Sequence, residues 1–296
     1  MNSMQIPIQS PAHASVPATL LAPRDDLFSR RAARFEQHAD GRADAHWMTW
    51  LAELARRQQG AFEAMRADPS PARLIGGEDA LKPLWQSLYQ TLCDGMAGMP
   101  LAAEGRAPLA GGALDQAGQA CLRLARGEIV AGTRDSQDYL VAAAMQVAWS
   151  ATAASLAAQG RAQGEAHQHC PLCGCEPVGS IVMAGEGKAG LRYLECSLCA
   201  TRWHAVRAHC TLCDEGSVIS YLGLEGGNAA IQAECCEHCH GYVKTYFQEK
   251  DPYVDPMADD LASVMLDVLV GQEGYCRASP NLFLAGVEAV GAADGG

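Results

Sequence analysis

Eight cysteines in the C-terminal half of the chain form four Cys-x-x-Cys pairs: Cys170 with Cys173, Cys196 with Cys199, Cys210 with Cys213, and Cys236 with Cys239. The first and third pairs are offset by 40 residues, the second and fourth likewise, and 22 residues separate the two pairs of each repeat. A fixed offset of this kind marks one structural unit used twice. A Cys-x-x-Cys turn holds two sulfurs on one side of a tight loop, and two such turns complete a tetrahedral four-sulfur site that accepts zinc or iron. The expected ligand sets are therefore Cys170, Cys173, Cys196 and Cys199 at one centre, and Cys210, Cys213, Cys236 and Cys239 at the other. Closure within each repeat is the shorter connection, although a cross-braced pairing of Cys170/Cys173 with Cys210/Cys213 also satisfies the period. A thioredoxin-type dithiol uses the same motif, but singly and at a helix start, not as four copies in register.

Five of the thirteen cysteines fall outside the pattern. Cys175 and Cys235 sit beside ligand pairs and are candidates for an auxiliary thiol or alternate ligand, while Cys93, Cys121 and Cys276 read as small buried apolar residues. His169, His204, His209, His238 and His240 crowd the same region. With eight thiolates already filling two tetrahedral sites, these imidazoles are expected at the surface or around the ligands.

The elements that must carry these turns can be read from the intervening segments. Ser180–Met183 and Leu191–Glu195 flank Gly185 and Gly187, and Ser217–Leu222 and Ala229–Ala233 flank Gly226 and Gly227. Each reads as strand, glycine turn, strand. A further strand follows the second pair of each repeat, at Thr201–Val206 and Tyr242–Phe247. That is the layout of a zinc ribbon or rubredoxin-like module. So small a module buries little core, so metal binding is expected to supply folding energy on the order of 10 kcal/mol, and loss of one ligand to unfold one module. Before the repeats, apolar residues recur at helical spacing, predicting helices at Leu27–Ala39, Ala45–Met65, Leu81–Cys93, Leu114–Arg126 and Ser136–Gln159. After them, Asp255 as a cap and Pro256 in the first turn predict one helix to Val270, with Asp259 and Asp260 complementing its positive end and residues after Pro280 frayed. The expected architecture is α+β and multidomain: a flexible tail over 1–25, an all-α domain over 26–166, two tandem rubredoxin-like modules over 167–207 and 208–254, and a C-terminal helix and tail over 255–296.

Bulk composition narrows the class. The 296 residues are 49% apolar and 19% charged, and no continuous apolar run approaches the roughly 20 residues of a bilayer crossing. Ser29-Arg30-Arg31 resembles a twin-arginine export signal, but an amphipathic segment follows it in place of an apolar core. A cytoplasmic protein without a membrane span is expected. In that compartment thiols stay reduced, so metal binding displaces disulfides as the use of the cysteines. The net charge of −12 is concentrated: from Cys170 onward there are 7 Lys and Arg against 17 Asp and Glu, a net of −10. A nucleic-acid surface normally carries the opposite sign.

An ordered set of segments resembles the formate dehydrogenase accessory protein FdhE family. In the helical half it comprises Leu27-Phe-Ser-Arg-Arg-Ala-Ala-Arg34 and Leu51-Ala-Glu-Leu-Ala-Arg-Arg-Gln-Gln59. It continues through Cys170-Pro-Leu-Cys-Gly174, Leu191-Arg-Tyr-Leu-Glu-Cys-Ser-Leu-Cys199, Trp203-His-Ala-Val-Arg207 and Lys244-Thr-Tyr-Phe-Gln-Glu-Lys-Asp-Pro252. Ala258-Asp-Asp-Leu-Ala-Ser263 and Gln272-Glu-Gly-Tyr275 close it. The resemblance implies tandem rubredoxin-like modules, iron as the native metal with zinc the other candidate, and ligand roles for all eight paired cysteines. It also implies a role in maturing respiratory formate dehydrogenase through contact with its catalytic subunit. Two departures stand out: the family more often has a non-cysteine at the place of Cys235, and glycine where His240 stands. No catalytic constellation or phosphate loop accompanies the cysteines, and closed four-sulfur sites leave no position for substrate, so a binding factor and not an enzyme is expected. A rubredoxin-like electron-transfer protein is the alternative, and a zinc-ribbon nucleic-acid binder the third.

Overall fold

The helical periodicity resolves into five helices in the computed structural model, which describes residues 19–67, 77–99, 107–130, 134–158, 168–185, 188–207, 209–216 and 219–284. They are α1 (Leu27–Ala39), α2 (Ala45–Ala67), α3 (Gly77–Met96), α4 (Gly111–Ala125) and α5 (Ser136–Ala158). The expected boundary between the helical and cysteine-rich parts, and the tail before residue 19, lie largely or wholly outside the described residues. The alanine-rich α5 is buried from Val141 through Ala151, and α2, α3 and α4 all pack on it. Small side chains let several helices approach one axis closely. By length and composition alone α5 is apolar enough to cross a membrane, but 78% of that window is buried inside the protein, and its apolarity serves the helical core.

The cysteine-rich half forms β2 (Pro177–Val182), β3 (Arg192–Cys196) and β4 (Arg202–Ala205) from the first repeat, and β5 (Ile219–Leu222), β6 (Ile231–Cys236) and β7 (Gly241–Phe247) from the second. Each trio is an antiparallel ribbon. The two ribbons are not separate bodies. β2 pairs in parallel with β7, matching Ser180 with Thr245, Ile181 with Tyr246 and Val182 with Phe247, and so makes one sheet, with β1 (Leu20–Leu21) at its edge, in the order β1-β4-β3-β2-β7-β6-β5. Gly179 permits this approach: a Cβ there would lie 2.7 Å from the Tyr246 ring and 2.9 Å from the Lys244 carbonyl.

Three expectations are corrected at the chain's ends. Leu20–Leu21, assigned to the flexible tail, forms β1 and pairs with Trp203 and Arg202 of β4, because Leu20 also packs on the main core. The single C-terminal helix is two, α6 (Pro256–Ala262) and α7 (Val264–Gln272). The Asp255 carboxylate does cap the first, accepting from the Ala258 N–H at 2.9 Å. At Ser263 the hydroxyl donates to the Asp259 carbonyl at 2.7 Å and the carbonyl accepts from Lys244 Nζ at 3.1 Å, which diverts the helical ladder. The chain just after Pro280 is not frayed: Leu282 and Phe283 are buried, and Asn281 Nδ2 donates to the Met257 carbonyl and to Asp260. Between α7 and that segment a short strand, β8 (Cys276–Arg277), pairs in parallel with the start of β7.

Candidate metal centres

Every knuckle is built the same way. Cys196 is the last residue of β3 and Cys236 the last of β6, so a strand delivers each second knuckle. In all four, the residue after the second cysteine turns left-handed: Gly174 (φ 70°), Ala200 (φ 54°), Asp214 (φ 59°) and His240 (φ 53°). The N–H of each of these four donates back to the carbonyl of its knuckle's first cysteine, at 2.8, 3.2, 3.0 and 2.9 Å. The turn thereby aims both sulfurs to one side. N–H groups of Leu198 and Cys199 point at the Cys196 sulfur at 3.4 Å, and that of Leu212 at the Cys210 sulfur, also at 3.4 Å.

The four sulfurs of Cys170, Cys173, Cys196 and Cys199 lie within 4.8 Å of one another, as do those of Cys210, Cys213, Cys236 and Cys239. Closure is within each repeat, and the cross-braced pairing does not occur. A metal bonded to four sulfurs at about 2.3 Å requires edges of about 3.8 Å. Two edges of the second group, Cys210 to Cys239 and Cys213 to Cys236, are 3.8 Å; three of the first, Cys170 to Cys199, Cys173 to Cys196 and Cys173 to Cys199, are 3.3 to 3.6 Å. Charge makes the same demand. At the first group, hydrogen bonds from Cys173, Cys196 and Cys199 hold Cys170 far below the usual thiol range, while its three neighbours are pushed far above it. At the second, burial pushes Cys210 up to about 12. Four thiolates form together only around a cation, so both groups fit a metal ion with an all-thiolate shell.

Neither neighbouring thiol is among the four mutually close sulfurs of either group, although that of Cys175 interacts with the thiols of Cys173 and Cys196. Cys175 is buried in the main core with its sulfur 3.7 Å from the Cys173 carbonyl. Cys235 is buried in a second apolar cluster, its thiol raised to about 11 by burial. Of the three cysteines read as buried packing, Cys121 is buried and Cys93 half-buried, but Cys276 is exposed, at the point where β8 pairs with the start of β7 beside the second centre. The histidines serve elsewhere: His169 Nε2 lies 2.9 Å from Glu176, His204 packs edge-on against Tyr193, His209 Nδ1 is 3.1 Å from the Asp214 carbonyl, and His238 and His240 are exposed.

The sequence gives little warning of a buried ionic chain that runs up to the first centre. Glu195, adjacent to Cys196, is flanked by Arg31 of α1 at 3.7 Å and Arg202 at 2.7 Å. Arg31 also reaches Asp255 at 3.2 Å, and Arg34 reaches Asp259 at 2.7 Å and Asp251 at 2.8 Å. Further along, Lys244 pairs with Asp260 and Asp267, and Arg277 with the same two carboxylates. Asp259 and Asp260 thus serve as partners of buried cations, beyond the helix-end role expected of them. The only cue was the pairing of Arg31 and Arg34 one turn apart on α1 with Asp255 and Asp259 one turn apart near α6.

Comparison with known proteins agrees with this architecture. Three consecutive domain families match the chain: FdhE, N-terminal, over residues 16–165; FdhE, central domain, over 169–207; and FdhE, C-terminal domain, over 208–284. Protein FdhE homolog of Pseudomonas aeruginosa is 35% identical, with 94% of this chain and 96% of that protein aligned. Protein FdhE homolog of Cronobacter sakazakii is 36% identical over 92% of each chain. The crystal structure of the FdhE protein from Pseudomonas aeruginosa superposes with a TM-score of 0.69, at 32% identity, covering 90% of this chain and 99% of that one. With helical domain, central ribbon and C-terminal ribbon all matched in order, the chain belongs to the FdhE family.

Proposed function

We propose that this protein is an accessory factor in the maturation of respiratory formate dehydrogenase, acting in the cytoplasm by binding the enzyme's catalytic subunit and not by catalysing a reaction of its own. The observation that carries this reading is the pair of closed four-cysteine groups set in a chain that matches the three FdhE domain families in order between residues 16 and 284. Each group directs four sulfurs inward on one point, so a metal there has a full shell and no open position for substrate. All eight paired cysteines are the ligands, and iron is the metal we assign, with zinc the competitor. Bound iron would supply a one-electron couple; bound zinc, structure alone.

The test is co-purification of tagged, metal-loaded protein with the catalytic subunit of a respiratory formate dehydrogenase from the same cytoplasm. A stoichiometric complex is expected. A folded protein carrying both metals that captures none of the subunit overturns the reading. Elemental analysis with an absorption spectrum decides the metal, since ferric tetrathiolate is strongly coloured and zinc is silent.

A further inference from the structure

The two centres have the same ligands in the same turns, and differ in what holds those turns. At the first, three helices grip the second knuckle. Gln146 Nε2 of α5 donates to the Ser197 carbonyl at 3.0 Å. The Ser197 N–H donates to the Glu176 carbonyl at 3.1 Å, and the Glu176 N–H in turn to the Ala125 carbonyl at the end of α4, at 2.8 Å. Glu195 meets Arg31 of α1. Leu198, between the ligands, is buried in one cluster with Trp50, Met145 and Trp149 of the helical core. Cys170, Cys196 and Cys199 are all buried.

At the second centre the corresponding knuckle faces outward. Glu237, His238, Cys239 and His240 are exposed. The hydrogen bonds of this centre's knuckles run to ribbon, loop and β8 residues: His240 N–H to the Cys236 carbonyl, Cys276 N–H to the His240 carbonyl at 2.7 Å, Gln168 Nε2 to the Leu212 carbonyl at 2.7 Å, and Arg192 to the Thr211 hydroxyl at 2.5 Å.

We infer that the two centres divide the work: the first is the joint that locks the helical domain onto the sheet, and the second is an exchangeable centre whose metal comes and goes without disturbing the helices. The inference rests on both groups binding metal, as the proposed function does. Releasing a metal requires one sulfur to leave and its knuckle to move. At the first centre that movement breaks buried hydrogen bonds to α5 and opens the apolar core around Leu198; at the second it opens an exposed turn, a local event. Access alone does not set the order. A cavity of about 300 Å³ walled by Leu81, Trp149, Leu156 and Leu172 reaches Cys173 and Cys199, so a small chelator has a path to the first centre as well.

The experiment uses the full chain loaded with two equivalents of zinc and challenged with the chromogenic chelator pyridylazoresorcinol. One equivalent is expected to leave about tenfold faster than the other or more, with the far-ultraviolet circular dichroism of the helices unchanged. Hydrogen exchange at that point should show deprotection around residues 209–216 and 236–240, with α1 and α5 still protected. The second equivalent should leave together with loss of protection in α1 and α5. Cys239→Ser should abolish the fast equivalent and retain the slow one. Release of both equivalents at one rate, or loss of α1 and α5 protection with the first equivalent, overturns the inference, and both readouts come from the unsubstituted protein. A chain that takes up no zinc overturns this inference and the metal-bearing part of the proposed function together. Absence of a complex with the formate dehydrogenase subunit bears on the proposed function alone.

Discussion

The turn after each second cysteine costs more where it is not glycine. A left-handed backbone puts Cβ against the carbonyl that follows, a penalty of about 1–2 kcal/mol for a residue other than glycine. Gly174 avoids it, whereas Ala200, Asp214 and His240 do not. His240→Gly should therefore raise stability by about 1 kcal/mol in denaturant unfolding of the metal-loaded protein; a lower midpoint would mean that the His240 ring, 6.0 Å from that of Tyr275, matters more than the turn. At Arg31 the stakes are larger. Its guanidinium is buried against Glu195 and Asp255, and removing it leaves two carboxylates short of a cation in a dry environment. Arg31→Ala is expected to cost about 3–5 kcal/mol. Arg30→Ala, which removes one bond of 3.4 Å to the Pro252 carbonyl near the surface, is expected to cost less than about 0.5 kcal/mol. Equal midpoints for the two variants would show that the buried ionic chain is not what it looks to be.

At the scale of elements, α6 couples three parts of the chain: Asp255 and Asp259 take arginines from α1, and Asp260 takes Lys244 of β7 and Arg277 of β8. Burial by itself would raise the Asp260 carboxyl, but the charges of Arg277 and Lys244 outweigh it and bring it down to about 2. A depressed carboxylate contributes its stability in full above the unfolded value near 4 and loses it as pH falls through the folded one. The stability difference between the native protein and Asp260→Asn should thus shrink by about 2 kcal/mol between pH 4 and pH 2, in buffers where metal loss is common to both. A gap that stays constant over that range would place the Asp260 charge outside the balance. The same helix explains the buried C-terminal segment, since Asn281 binds both Asp260 and the Met257 carbonyl and so brings Leu282 and Phe283 onto the core.

For the whole molecule, the decisive contact is the parallel pairing of β2 with β7. It converts two ribbons, each with its own metal group, into a single sheet, and α7 lays Leu266 and Val270 over the second ribbon's core residues Ile231, Tyr242 and Tyr246. An isolated second module, residues 208–254, would expose the β7 edge and this apolar face together, the combination that invites edge-to-edge association. That fragment is expected to self-associate even when metal-loaded, as read by size-exclusion chromatography. A monodisperse fragment with native-like amide dispersion would show that the ribbon needs neither neighbour. Losing one ligand therefore has different consequences at the two ends of the sheet, which the idea of independent modules does not anticipate.

What the sequence determined by itself was local and periodic. Four Cys-x-x-Cys turns at a 40-residue offset specify two four-sulfur groups, because ligand spacing and hairpin closure act over about 30 residues, and α1 begins and ends where the apolar period places it. The capping of α6 by Asp255 was legible for the same reason. Three features were decided only by the tertiary structure: the joining of the ribbons, the burial of Arg31 and Glu195, and the unlike surroundings of two alike centres. These depend on contacts between residues far apart in the chain, such as Arg31 with Asp255 or Gln146 with Ser197. An arginine on an amphipathic helix reads as solvated until a second surface arrives with a matching carboxylate, and two identical ligand sets stay equivalent until a helical domain packs against one of them.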